Sequence, residues 1–115
     1  MNIATIVHSV YGAGERQWKI QITPEARQRF DQYVAVLRAI PSLRIMTDKQ
    51  GGRFNLKLMV NNQIIARIWF FPDWRIREII PEPAYAEKVQ PYQATAMPMQ
   101  PEELRGYVTR LLGAA

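Results

Sequence analysis

The sequence predicts an α+β fold, an antiparallel sheet built from an N-terminal hairpin and a central meander, with one helix packed on it and a short C-terminal helix. Three observations carry the prediction. The run "FNLKLMV" at 54–60 alternates with period two, and two more β-rich runs follow it across turn residues. Residues 24–40 place apolar side chains at helical spacing. A second helical stripe follows a proline-rich stretch near the C-terminus.

In chain order, residues 3–10, "IATIVHSV", are short and β-branched, as strands are. "YGAGER" reads as a loop, because its glycines free the backbone. "WKIQIT" (18–23) alternates, with Trp18, Ile20 and Ile22 on one side, and pairs with the first run as a hairpin. Thr23-Pro24-Glu25 then starts a helix: a cap, a proline at the first helical position, and an acid at the positive end of the dipole. Ala26, Phe30, Tyr33, Val34, Leu37 and Ile40 form its stripe, and Pro41 ends it. From Leu43 to Ile80 the chain reads as a meander: "LRIMT", a "DKQGG" turn, "FNLKLMV", "IIARIWFF" and "RIREII". The expected organisation is a core domain over 1–81, a proline-rich extended connection over 82–100, and a helix over 101–115 that packs on the core. Leu104, Tyr107, Val108, Leu111 and Leu112 form the stripe of that helix.

Which side chains face inward depends on turn length, since a slip of one residue reverses every side chain. An Asn61-Asn62 turn pairs Val60 with Gln63 and pulls Arg67 opposite Leu56, toward the apolar face. An Asn61-Asn62-Gln63 loop pairs Val60 with Ile64 and keeps Arg67 outside. Burying an unpaired arginine costs on the order of several kcal/mol, more than any turn preference, which favours the longer loop. A three-residue Pro72-Asp73-Trp74 loop likewise sends Ile76 and Ile80 inward, with Glu78 as the misfit. A two-residue Pro72-Asp73 turn is the competitor and sets Arg67 opposite Glu78.

At 115 residues the chain fits one domain and can bury enough surface to fold without a metal or disulfide. With no cysteine, thiolate metal sites and cysteine nucleophiles are excluded. The single histidine, His8, reads as an ordinary strand residue, with no serine elbow anywhere to serve. No cofactor or metal is implied, and no uncharged run approaches a membrane span, so a cytoplasmic protein is expected. The net charge of +5 and isoelectric point near 9.9 attract polyanions without choosing among them.

With the longer loops, the outer face of the meander collects Lys57, Met59, Ile65, Arg67, Trp69, Phe71, Arg75, Arg77 and Ile79. Spaced cations can contact phosphates, and an aromatic between them offers a flat surface to an unpaired base. The candidate nucleic-acid-binding residues are therefore Lys57, Arg67, Trp69, Arg75, Arg77 and Arg53, with Lys49 extending the field. RNA or another single strand suits such a face best. The plainer alternative covers Trp69, Phe71 and Ile65 with the C-terminal helix or a partner protein.

"ITPEARQRFDQYVAVLRAI" followed by "GGRFNLKLMVNNQIIARIWFFPDWRIREII" resembles the element order of RelE- and HigB-type messenger-RNA-cleaving toxins, over residues 17–80 at most. The resemblance is one of pattern, with one helix where that family usually has two. It implies Lys57, Arg67 and Arg77 as phosphate or transition-state contacts and Tyr85 as an acid/base group. Three functions follow as expectations. The first is a small, non-catalytic, basic protein that binds nucleic acid through its sheet. The second is a protein-interaction module, an inhibitor or assembly subunit from a mobile element. The third is a metal-independent ribonuclease of the toxin kind.

Overall fold

The computed structural model describes residues 23–113. The expected N-terminal hairpin, His8 and the 12–14 glycine loop lie outside the described residues. Helix α1 spans Pro24–Arg38. The Thr23 hydroxyl accepts the Ala26 N–H at 3.1 Å, Pro24 fills the first turn, and Glu25 and Arg38 match the two ends of the dipole. The helix stops two residues short of the expected Ile40, because Pro41 disfavours helical backbone just before it.

Strands β1 (Arg44–Gln50), β2 (Arg53–Val60), β3 (Gln63–Phe70), β4 (Ile76–Pro81) and β5 (Tyr92–Gln93) form one antiparallel sheet in the order β1-β2-β3-β4-β5. The central strand is thus β3. Two of the turns are tight. Gly51 and Gly52 have φ of 59° and 78°, and Asn61 and Asn62 have φ of 51° and 64°, as two-residue hairpin turns require. Asp48, Lys49 and Gln50, expected in a turn, therefore belong to β1. The third turn is the expected three-residue Pro72-Asp73-Trp74 loop. In it the Trp74 N–H donates to the Phe71 carbonyl and the Phe71 N–H to the Arg75 carbonyl, each at 2.9 Å.

The shorter turn forms at Asn61-Asn62, and Val60 pairs with Gln63. Arg67 nevertheless stays off the apolar face, because a bulge follows. The register shifts next to Leu58, so Leu58 pairs with Ala66, Leu56 with Ile68, and Ile65 is the extra residue. A second shift makes Arg77 the extra residue on β4: Phe70 pairs with Ile76, Trp69 with Glu78, and Ile68 with Ile79. These bulges correct four assignments. Ile65 and Ile79 are buried in the core rather than outside, Ile80 is 43% exposed rather than inside, and Glu78 is no misfit, since it stands opposite Trp69 on the outer face.

The inner face meets α1 in an aromatic cluster. Phe30 and Trp74 have ring centroids 4.7 Å apart, Phe54 and Trp74 5.0 Å, and Phe30 and Phe70 5.5 Å. Beyond β4 the chain makes one helical turn, α2 (Pro83–Ala86), then β5, then α3 (Pro101–Gly113). The 82–100 segment thus holds two short regular pieces where an unbroken extended connection was expected. Pro83 starts a helical turn instead of preventing one, and β5 is too short to show a period. Helix α3 packs beside α1, and Leu104, Tyr107, Val108 and Leu111 join the same core. Two phenols clamp the tail. The Tyr33 hydroxyl donates to the Met99 carbonyl, and the Tyr107 hydroxyl to the Gln90 carbonyl at 2.6 Å. Burial pushes the Tyr107 phenol up to about 12, and burial also raises Tyr33 and Tyr92.

Candidate nucleic-acid interface

The pairing of the strands writes the outer face as transverse rows. One row runs Met46, Lys57, Arg67, Ile80 across β1 to β4. The next runs Asp48, Asn55, Trp69, Glu78, Gln93 across all five strands. Arg53 lies toward the Gly51-Gly52 end, and Phe71 and Arg75 close the far end of the β3–β4 hairpin, with the Arg75 guanidinium 4.9 Å from the Phe71 ring centre. Lys57, Arg67, Trp69, Arg75, Arg77 and Arg53 thus share one side of the sheet. Lys49 does not join them: it pairs with Phe54, and its register position puts it on the inner side.

Three of these cations hold carboxylates. Arg67 donates through Nη1 to Asp48 Oδ2 at 2.7 Å and to Asn55 Oδ1 at 3.2 Å. Arg75 Nε lies 2.7 Å from Asp73 Oδ2, and Arg77 Nη2 lies 3.1 Å from Glu78 Oε1. Desolvation works against ionised Asp48. The Arg67 hydrogen bond, the Lys49 backbone N–H and the fields of Lys57 and Arg67 outweigh it, and hold its carboxyl below the ordinary value. Such pairs fix guanidinium planes in place while reducing the charge offered to a ligand.

Asn55 is fully buried although it belongs to the outer row. Its oxygen accepts from Arg67, but its Nδ2 and the neighbouring Trp69 Nε1 are buried without hydrogen-bond partners among the described residues. Each unmet buried donor costs roughly 1–3 kcal/mol. Asp48, Asn55, Glu78 and Gln93 are absent from the face that the sequence predicts. The Gly-Gly pair is the available signal for Asp48: a two-residue turn there extends β1 and sets Asp48 on the same side as Met46.

Helix α3 does not cover Trp69. It sits with α1 on the inner layer, and among the described residues no helix lies on the outer face. Tyr85 is partly buried and packs against the core. Among the described residues no group of side chains is arranged to hold a metal ion, and no helix is long and apolar enough to cross a membrane. Comparison with known proteins gives no matching family model, no matching curated protein and no matching solved structure.

Proposed function

We propose that this chain is a non-catalytic binding protein whose outer sheet face engages single-stranded nucleic acid. One observation carries the reading. Lys57 and Arg67 stand directly opposite each other, with Trp69 next in line on the central strand, on the side of the sheet away from α1 and α3. Cations at that spacing suit successive phosphates, and an indole on the middle strand suits a stacked base. Arg53, Arg75 and Arg77 extend the positive field toward one end.

The test is fluorescence anisotropy of a labelled single-stranded RNA against rising salt. Affinity should fall linearly on a double-logarithmic plot. The double variant Arg67→Ala, Arg77→Ala should flatten the slope by about one for each phosphate that is no longer neutralised. Binding that ignores salt, or a slope that the double variant leaves alone, defeats the proposal. A second reading has its own support. Met46 and Ile80, each 43% exposed, flank the Lys57–Arg67 row, and three arginines already hold carboxylates. A protein partner with an apolar contact surface fits that mixture, and salt-insensitive capture of such a partner would favour it.

A further inference from the structure

Beside Trp69 the outer face has a shallow hollow of about 260 Å³ lined by Phe71, Arg77, Glu78, Gln93 and Ala94. Its position follows from two features of β4. The bulge at Arg77 puts consecutive residues, Arg77 and Glu78, together on the outer side, and their side chains meet at 3.1 Å. β5 then adds Gln93 directly across from Glu78, and the Ala94 N–H binds the Arg77 carbonyl at 2.9 Å, which closes that side of the hollow. Phe71 supplies an aromatic wall.

We infer that this hollow receives an unpaired base and prefers guanine. The inference rests on the nucleic-acid reading and adds to it a base identity. A guanidinium held beside a carboxylate presents N–H donors next to acceptor oxygens. Guanine has the matching edge: O6 accepts, and N1–H and N2–H are adjacent donors. It can therefore use both carboxylate oxygens of Glu78 and a donor of Arg77 at once. Adenine, cytosine and uracil each carry a single N–H group on that edge, so none places two adjacent donors against the two carboxylate oxygens. Gln93 can donate to or accept from the base at its rim. Trp69, one strand over from Glu78, lies a single cross-strand step away and can stack the neighbouring base.

The experiment uses the full chain and four short uridine oligonucleotides, identical except for uridine, guanosine, adenosine or cytidine at one central position. Titrations are followed by anisotropy. The guanosine oligonucleotide should bind about tenfold more tightly than the others, the usual range for a bidentate base contact. Glu78→Gln should remove that preference, while all-uridine RNA still binds, and more tightly, because Arg77 loses its carboxylate partner; that retained binding also shows that the variant is folded. Gln93→Ala should narrow the preference. Salt-sensitive binding with equal affinity for all four, or a guanosine preference that survives Glu78→Gln, overturns this inference and leaves the nucleic-acid reading intact. Absence of salt-sensitive binding to every oligonucleotide overturns both.

Discussion

On the inner face of the sheet, Phe30, Phe54, Phe70 and Trp74 meet ring to ring in a cluster that carries no charge. On the outer face, one side-chain reversal away along the same strands, Arg67, Asp48 and Asn55 form a hydrogen-bonded group, and Lys57 stands beside them. The inner contacts exclude water and are worth several kcal/mol per large side chain. The outer pairs are partly solvated, with side-chain exposures of 21% and 31% for Arg67 and Asp48, and pairs of that kind contribute little to stability. The difference teaches that one layer holds the fold while the other is open to change, so substitutions in the two should be read by different measurements.

The sharpest break of that contrast is Phe30→Ala, which should cost roughly 3–5 kcal/mol in urea unfolding, because Phe30 is fully buried against three other rings. A loss under ~1 kcal/mol would remove the assigned role of the cluster. Tyr107→Phe should come next, at about 1 kcal/mol near neutral pH, because the Gln90 carbonyl loses its donor. Its pH dependence has a definite sign. The folded phenol is raised to about 12 from 10.0, so its contribution is complete below pH 10 and is lost as pH rises toward 12. The variant should show a flatter alkaline limb, with Tyr33 and Tyr92 still contributing in the same direction.

Outer-face changes should cost less stability than Phe30→Ala. Arg67→Ala should cost on the order of 1–2 kcal/mol in the same unfolding experiment, because the buried Asn55 oxygen loses its donor, while weakening single-strand binding severalfold. A large stability loss with unchanged binding would reverse the assignment of the two layers. Asp48→Asn should have the smallest effect. The depressed carboxyl of Asp48 supports the fold above its ordinary value of 3.8 and ceases to do so as pH falls below it, so the variant should lose part of the acid limb of the stability profile.

Much of the inner layer is legible in the amino-acid order. Thr23, Pro24 and the Phe30–Tyr33–Val34–Leu37 stripe mark α1, and period-two runs mark β2 and the start of β3, because each local preference agrees with the layer it builds. The outer face is legible only in part. Both errors of parity fall on isoleucine doublets, Ile64-Ile65 and Ile79-Ile80. In each, the two residues are chemically identical, so pattern cannot say which one enters the core. The turn at Asn61-Asn62 defeats pattern reasoning for a related reason. The cost of burying Arg67 competes with turn length only in a regular ladder, whereas a bulge satisfies both. Glu78 and Gln93 are invisible as neighbours because β5 is too short to read, yet it is β5 that brings them together.

The two bulges also carry a consequence for how such a chain can change over generations. Ile65 and Arg77 are each the unmatched residue of a bulge, so losing either one would restore an even ladder and leave every other cross-strand pair in place. Loss of Ile65 would take a side chain from the interior, and loss of Arg77 a cation from the exterior. Length changes at the two points thus act on opposite layers.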